Sequence, residues 1–301
     1  MSEIHNICLL GLGEVGSRLA SHFDNRRGLQ LRTWDCLFTD PGSKPSAQLQ
    51  RFSHLTAAAD AATAANDCAL VISAVTAAQD LAAARSVTPG MKAGAWFLDL
   101  NSVSPGTKRR VADEVEGAGG RYVEAAILSP IEPLGMAAPI LLGGPHAKAF
   151  LPVAAQLGFS AAQFCSRQIG RAAATKMCRS IVIKGVEALL AEALLTARNY
   201  GVENQVMASL NNLLPRPDWP QHARYMISRS LLHGSRRAEE MREAAQTVRE
   251  AGIEPWMSAA CANRQDWAAQ FAAALEHEDL SAMLDTINRA ASEPQPRIGT
   301  T

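Results

Sequence analysis

The sequence lacks an excess of either charge. Lysine and arginine together number 29, and aspartate and glutamate together also number 29, so the formal net charge is zero. A protein that binds nucleic acid or anionic lipid generally presents an excess of positive charge to the phosphates. We therefore expect neither nucleic acid nor a membrane surface as a partner.

Long hydrophobic runs are also missing. No window approaches the roughly 18 consecutive apolar residues of a membrane-spanning helix. The first residues, MSEIHN, have no basic region followed by the apolar stretch of a secretory signal. We expect a cytoplasmic protein.

The six cysteines show no pattern of metal ligands. They form no C-x-x-C pair and have no nearby histidine at the spacing of a zinc site. We therefore expect no metal, and we expect the cysteines to be buried free thiols.

What the first half does contain is a regular alternation. Short apolar runs rich in β-formers recur as ICLL, LQLRTW, CALVISAV, WFLDL, RYVEAAIL and PILLGG, with alanine-rich stretches of helical length between them, such as residues 77–86 and 105–116. Continuous apolar strands alternating with helices are typical of βα units, in which a mostly parallel sheet is covered on both faces. The pattern predicts an open α/β domain over residues 1–166.

The second half has a helical pattern throughout. One long helix is predicted over residues 171–200, and two more over 224–251 and 258–277, with the proline-punctuated segment LLPRPDWPQ before them. We predict an all-helical domain over residues 167–292. The proline-rich, polar residues 293–301 are expected to form a loose tail.

A glycine fingerprint follows the first predicted strand. The segment GLGEVG is a G-x-G-x-x-G motif at a strand-to-helix junction. One glycine allows the tight turn, one lets a pyrophosphate approach the backbone, and one lets the helix meet the strand. The motif predicts a dinucleotide site, and its candidate cofactor-binding residues are Gly11, Leu12, Gly13, Glu14, Val15 and Gly16.

An aspartate ends the second predicted strand. Asp35 lies nineteen positions after Gly16, close to the interval at which an acidic residue binds the adenine ribose hydroxyls. A carboxylate there would repel a 2′-phosphate, which favours NAD over NADP, although Arg32 and Lys44 lie near enough in sequence to keep NADP open. The alternative is an ordinary aspartate that starts the loop DCLFTDPGS.

Two further segments carry polar residues in suggestive places. In FLDLNSVSP, Asn101 and Ser102 follow an apolar strand at the end where open α/β sheets bind ligands, and Ser104 before a proline is a good helix cap. In GRAAATKMCRSIVIKG, Lys176, Ser180 and Lys184 share one helix face. Periodicity alone favours a solvated stripe there, because lysine is rarely buried unless paired.

Taken in order, these segments resemble the β-hydroxyacid dehydrogenase family, relatives of 3-hydroxyisobutyrate dehydrogenase and 6-phosphogluconate dehydrogenase. The family's D-x-S-T-x-x-P segment is matched by DLNSVSP, and its G-x-G-x-x-x-K-x-x-x-N helix by GRAAATKMCRS. The resemblance implies a Rossmann-type domain, an all-α domain built around a long inter-domain helix, and a homodimer. It implies that Lys176 exchanges the substrate's hydroxyl proton, with Asn101 and Ser102 at the substrate, Val75 and Thr76 under the nicotinamide half, and Arg237 reaching the cofactor.

Departures from the family concern the substrate pocket. Ser180 replaces the usual asparagine, Ala172 replaces the second glycine of that motif, and the D-A-P-V-S-G-G segment becomes EAAILSPIEP, with Ser129 near the serine but no glycine pair. We therefore expect Ser129 and Ser180 at a rebuilt pocket and a substrate larger than a three- or four-carbon hydroxy acid. His233, Arg236 and Arg237 of the second domain are candidates for this rebuilt pocket. The alternative for the two arginines is pairing with Glu239 and Glu240 along a helix. The alternative for His233 is a structural or exposed histidine.

The sequence thus predicts an NAD(P)-dependent oxidoreductase that interconverts a β-hydroxy acid, or a related alcohol, with its aldehyde or keto form. Two alternatives stay open. Imine reductases share the two-domain plan but commonly replace the lysine, and a nucleotide-binding protein without catalysis would also tolerate the departures.

Overall fold

The computed structural model describes residues 4–24, 26, 28–131, 133–199, 201–210, 218–250 and 254–292. The chain divides into two compact units between Cys178 and Arg179. This division lies inside a helix, twelve residues beyond the predicted domain boundary after residue 166. The predicted tail, residues 293–301, lies outside the described residues.

The amino-terminal unit is built on one sheet. Among the described residues it has eight strands, β1 (Asn6–Leu10), β2 (Gln30–Trp34), β3 (Leu55–Ala57), β4 (Leu70–Ser73), β5 (Trp96–Asp99), β6 (Arg121–Ile127), β7 (Ile140–Gly143) and β8 (Ala162–Ser166). Their order is β3-β2-β1-β4-β5-β6-β7-β8, and all neighbours are parallel except β6 and β7. The six predicted apolar runs are confirmed as strands. The sequence missed β3, which has three residues, and β8, whose residues are partly exposed.

Helices cover both faces of this sheet. They are α1 (Glu14–Asp24), α2 (Lys44–Leu49), α3 (Ala61–Ala65), α4 (Asp80–Val87), α5 (Pro105–Gly117) and α6 (Ala147–Leu157). Along β1, Ile7 and Leu9 enter one core while Cys8 and Leu10 enter the other. Because each strand is buried on both faces, it reads as a continuous apolar run. The Rossmann-type fold class is confirmed, with its topological switch point between β1 and β4.

The second unit is helical. Helix α7 (Arg171–Asn199) begins in the amino-terminal unit, and α8 (Glu203–Leu210), α9 (Trp219–Glu250), α10 (Trp256–Ala268) and α11 (Leu280–Ser292) follow, with a 3-10 stretch at Ala269–Glu276. Leu194, Ile227 and Leu284 lie in its core. The long helix is confirmed to Asn199, whereas α8 and α11 were not predicted. In the part of the chain that is described, no helix has the length and apolarity needed to cross a membrane.

The cysteines only partly follow the expectation. Cys8, Cys68 and Cys261 are buried free thiols, but Cys36 and Cys178 are exposed, so the prediction is wrong for these two. Cys36 begins the turn after β2, and Cys178 lies on an outward face of α7.

Candidate active site at the strand ends

Two glycines of the fingerprint are required by the packing of the chain itself. Gly11 follows β1 with a φ of +91°, in the left-handed region that side chains rarely adopt. A Cβ on Gly16 would lie 2.0 Å from the carbonyl oxygen of Gly11. These two residues therefore make the tight turn and let α1 pack closely against the end of β1.

Gly13 differs because the fold does not require it. It is exposed, and a Cβ there would meet no described atom within 4 Å. Its missing side chain leaves the backbone open directly before α1, where the first helical N–H groups favour a phosphate. An open backbone at a helix start fits the pyrophosphate of a dinucleotide. Of the other fingerprint residues, Leu12 is buried, Val15 packs on the core and Glu14 is exposed.

Asp35 lies directly after β2 and is bonded to the glycine turn. Its Oδ2 accepts a hydrogen bond from the N–H of Leu12 at 2.8 Å, and its Oδ1 accepts one from Leu37 at 2.9 Å. The carboxylate therefore fixes the turn and caps the 3-10 turn that follows it. Each oxygen keeps a second lone pair and the side chain is only partly buried, so a ribose hydroxyl can still donate to it.

A groove of about 370 Å³ opens beside the glycine turn. It is lined by Leu12, Gly13 and Glu14 and by further residues of α1 and α2. Its cationic lining residues are Arg18, Lys44 and Arg51. This lining gives the groove a net positive charge, which suits an anionic ligand.

Asn101 holds the loop that follows β4. The residue is 4% exposed, and its Nδ2 donates to Ser73 Oγ at 2.8 Å and to Asp80 Oδ1 at 2.7 Å. Its Oδ1 accepts from the N–H of Val75 at 2.7 Å. Both amide hydrogens are thus used within the protein, which leaves none to donate to a substrate. The structure gives Asn101 the role of positioning Val75.

The loop held in this way lies against the glycine turn. A Cβ on Gly11 would be 2.9 Å from Val75 Cγ1 and 2.6 Å from the carbonyl oxygen of Ala74. Val75 is half-buried, and Thr76 beyond it is exposed. The two loops at the switch point, after β1 and after β4, are therefore in contact.

At the end of β5 lies a buried charged cluster, of which the sequence indicated Asp99 but neither of its partners, Lys108 and Tyr122. Lys108 Nζ lies 2.7 Å from Asp99 Oδ1, with both side chains almost fully buried, and Tyr122 Oη donates to Asp99 Oδ2 at 2.7 Å. The N–H of Asn101 donates to Asp99 Oδ1 at 3.0 Å. Burial raises the pKa of Tyr122, and the neighbouring Asp99 charge raises it further. The cluster fixes the start of the segment that carries Asn101 and Ser102.

The structure brings Lys176 and Ser102 together. Lys176 Nζ donates to Ser102 Oγ at 2.5 Å, although 74 positions separate them in the sequence. Both side chains are half-buried. Ser102 follows β5, beside the switch point, and Lys176 lies in the second turn of α7. Ser104 caps α5 through the N–H of Thr107, as its place before a proline predicts.

Two polar residues of β6 and the connection after it also have partners within the protein. Glu124, buried in β6, accepts hydrogen bonds from Gly170 and Ala173 at the start of α7. In the sequence Glu124 is a charged residue inside the apolar run RYVEAAIL and the first residue of EAAILSPIEP, the segment that resembles D-A-P-V-S-G-G. Ser129, in the connection between β6 and β7, is half-buried and donates to the carbonyl oxygen of Pro130 at 3.0 Å.

Within the helical unit, Lys184 is 9% exposed and forms an ion pair with Glu240. Ser180 is also buried and accepts a hydrogen bond from Lys184. The expectation of a solvated stripe, drawn from periodicity, is therefore wrong for these two residues. Burial lowers the pKa of Lys184, whereas the Glu240 carboxylate raises it.

Arg237 is buried as well. It forms an ion pair with Glu187 on α7, and burial lowers the pKa of its guanidinium. The alternative pairing drawn from the sequence is found at Arg236, which contacts Glu240 at 2.7 Å. Among residues described here, Arg237 thus has a carboxylate partner within its own unit.

The fold and the open glycine turn at the switch point define a dinucleotide-binding domain, and the family match supports an NAD(P)-dependent oxidoreductase. Residues 6–162 match the NAD binding domain of 6-phosphogluconate dehydrogenase, and residues 197–268 match a domain of unknown function, DUF1932. The chain belongs to the family defined by the NAD binding domain of 6-phosphogluconate dehydrogenase.

Three solved structures are similar over most of the chain. A conserved hypothetical protein from Sinorhizobium meliloti 1021 is 31% identical, with 96% of this chain and 97% of that chain covered and a TM-score of 0.72. The conserved protein MTH1747, described as structurally similar to 3-hydroxyacid dehydrogenases, is 28% identical, with 88% and 97% covered and a TM-score of 0.66. The 3-hydroxyisobutyrate dehydrogenase of Mycobacterium tuberculosis, solved with L-serine, is 19% identical, with 95% and 99% covered and a TM-score of 0.68, a likeness of fold alone.

Proposed function

We propose that this protein interconverts a β-hydroxy acid, or a related alcohol, with its aldehyde or keto form, and that Lys176 is the general acid and base. The observation that carries the proposal is the hydrogen bond from the Lys176 amine to Ser102 Oγ. It holds an amine at the strand ends, on the side of the sheet where ligands of open α/β folds bind.

The bound NAD(P) would supply the hydride acceptor or donor. Gly11, Gly13 and Gly16 would hold its pyrophosphate, and the loop of Val75 and Thr76, fixed by Asn101, would lie under the nicotinamide half. Lys176 would take the proton from the substrate hydroxyl during oxidation and return it during reduction. Ser102 would orient the amine and contact the substrate.

Support for this substrate class comes from the similar proteins. MTH1747 is described as similar in structure to 3-hydroxyacid dehydrogenases, and the tuberculosis enzyme is named for a β-hydroxy acid. Ser129 and Ser180 remain proposed substrate contacts, and Arg237 a proposed cofactor contact, on the resemblance alone. The structure gives each of them a partner inside the protein.

NAD is proposed as the preferred form of the cofactor. Asp35 would accept hydrogen bonds from the ribose hydroxyls and repel a 2′-phosphate, whereas Lys44 in the neighbouring groove would favour the additional phosphate. We expect tighter binding of NADH than of NADPH in a fluorescence titration. A clear preference for NADPH would contradict the proposed role of Asp35.

A homodimer in the cytoplasm is the remaining part of the proposal, and it rests on the resemblance to the dehydrogenase family. Light scattering coupled to gel filtration tests the oligomeric state. A mass of one chain at micromolar concentration would contradict it.

The function is tested with a panel of β-hydroxy acids, simple alcohols, aldehydes and cyclic imines. The absorbance of NADH measures turnover of each compound. We expect turnover on a hydroxy acid or its aldehyde, and a loss of about 10²–10⁴-fold in kcat in Lys176→Gln. Lys148→Gln, at an exposed lysine of α6, is the matched control and should keep full activity.

Three outcomes would contradict the proposal. Wild-type turnover in Lys176→Gln excludes the role of the lysine, and turnover of imines alone assigns the protein to C=N reduction. Saturable NADH binding without turnover on any panel member indicates a binding protein that does not catalyse.

A further inference from the structure

Glu124 is a buried carboxylate whose hydrogen bonds all go to one helix start. It lies in the middle of β6 with no exposed surface. Its Oε1 accepts a hydrogen bond from the N–H of Ala173 at 2.6 Å, and its Oε2 accepts one from Gly170. A Cβ at Gly143, on the neighbouring strand β7, would lie 3.0 Å from Oε2. The glycine therefore leaves the space that the carboxylate occupies.

The start of α7 is a favourable place for this negative group. The first N–H groups of a helix have no partner within the helix, and the helix dipole attracts an anion. Burial raises the pKa of Glu124, while the N–H groups of Gly170 and Ala173 and the charge of Lys108 lower it, and the charge of Asp99 raises it again. Because these two N–H groups stabilise the buried carboxylate, the first turn of α7 is held against β6.

The same turn also contacts the segment that carries Ser102. Gly170 has a φ of +97°, and a Cβ there would lie 2.9 Å from Pro105 Cβ. Pro105 lies three positions after Ser102, and Lys176 lies three positions after Ala173. A shift of the first turn of α7 would therefore move the lysine amine relative to the serine hydroxyl.

We propose that Glu124 is a positioning residue that sets the place of the Lys176 amine against Ser102 by anchoring the first turn of α7. The inference rests on the proposed function, because it assigns Lys176 a catalytic role. In Glu124→Gln the shape is kept, but one acceptor becomes an N–H donor that faces a backbone N–H. The anchor is then half lost, and Lys176 leaves Ser102.

The test measures the reactivity of Lys176 itself, which needs no substrate. Trace acetylation with acetic anhydride, followed by peptide mass spectrometry, gives the ratio of labelling at Lys176 to labelling at the exposed Lys148. We expect this ratio to rise about threefold or more in Glu124→Gln, because the amine loses its hydrogen bond to Ser102 and gains access to water. Ser102→Ala removes this hydrogen bond directly and serves as the positive reference.

Asp60→Asn is the matched control. Asp60 Oδ1 accepts from the N–H of Thr63 at 2.6 Å and caps α3, so it is also a carboxylate at a helix start. The labelling ratio should stay at the wild-type value in this variant. If Glu124→Gln does not fold, Glu124→Asp keeps the charge on a shorter side chain, and we expect it to give an intermediate rise.

An unchanged or lowered ratio in the folded Glu124 variant, with a rise in Ser102→Ala, would overturn the inference. An equal rise in Asp60→Asn would also overturn it, since the effect would then be general loosening. On a substrate that the panel identifies, Glu124→Gln should lower kcat about tenfold or more with KM changed less than about threefold. A raised labelling ratio in Glu124→Gln, in a protein that turns over no compound of the panel, would mean that the anchoring is correct and the proposed function is wrong.

Discussion

Both units of the molecule bury charged side chains, but the buried pairs lie in different surroundings. In the amino-terminal unit, Lys108 and Asp99 lie at the carboxyl end of a strand and hold the segment that carries Ser102. In the helical unit, Lys184 with Glu240 and Arg237 with Glu187 join the side chains of α7 and α9. The first pair lies at the end of β5, two strands from the open glycine turn after β1, and the second pairs lie between helices.

This difference teaches that a buried charge alone does not identify a functional site. An ion pair withdrawn from water costs desolvation wherever it lies, and removing one partner is costly in either place. What distinguishes the amino-terminal cluster is the set of loops that it fixes. Asn101 connects the cluster to Val75. The next residue, Ser102, connects it to Lys176.

The largest expected effect comes from breaking one pair in each unit. Lys108→Met leaves Asp99 buried without its cation, so it should lower the free energy of unfolding by about 3–5 kcal/mol in urea denaturation. Lys184→Met should lower it by less, because Glu240 is half-buried and keeps its ion pair with Arg236. Only Lys108→Met should also weaken NADH binding, by about tenfold, because it loosens the loops at the strand ends.

The control for both variants is Arg85→Met, which removes an exposed pair with Glu114. Its effect on the free energy of unfolding should stay below about 1 kcal/mol. Equal losses of NADH affinity in Lys108→Met and Lys184→Met would break the distinction between the two kinds of pair.

The glycine fingerprint separates residues needed for stability from a residue needed for cofactor binding within a single turn. Gly16→Ala would place a Cβ 2.0 Å from the Gly11 carbonyl oxygen, so it should lower the free energy of unfolding by about 1–3 kcal/mol. Gly13→Ala meets no described atom, so stability should change by less than about 0.5 kcal/mol while NADH binds about tenfold more weakly or worse. Unchanged NADH affinity in Gly13→Ala would mean that the cofactor does not approach there.

The smallest effect concerns buried thiols, one from each unit. Burial raises the pKa of Cys68 and of Cys261 to about 11 from 9.0. The folded protein therefore keeps these protons where the unfolded chain releases them. Stability from each thiol is present below pH 9 and is lost between pH 9 and 11, by about 1–2 kcal/mol.

Cys68→Ala and Cys261→Ala should each flatten the alkaline decline, which thermal unfolding at a series of pH values measures. Cys178→Ala, at an exposed thiol, should leave the decline as it is. A decline that is flattened equally by Cys178→Ala would show that burial is not its cause.

The parts of the fold that the sequence predicts are those written in local patterns. The apolar runs predicted six strands because both faces of the sheet are covered. The roles of Gly11 and Gly16 in the tight turn and the close helix packing were predicted because no larger residue fits there. Strand β3 was not predicted, because three residues with one buried side chain show no hydrophobic periodicity.

The missed features are long-range. Glu124 lies 46 positions from Gly170, and Lys184 lies 56 positions from Glu240, so no local spacing reports either contact. Asn101 was predicted at the strand ends, where the structure places it, but its partners Ser73 and Asp80 are contributed by β4 and the first turn of α4. A pattern that locates a polar side chain does not say which neighbours use its hydrogen bonds.

The central claim, that the Lys176 amine serves the reacting oxygen, is tested most directly by a crystal structure with NADH and a hydroxy acid from the panel. The account predicts that Lys176 Nζ lies about 2.6–3.2 Å from the hydroxyl oxygen of the bound acid, with Ser102 Oγ beside both. An amine turned away from that oxygen, with another side chain or a water in its place, would contradict the claim.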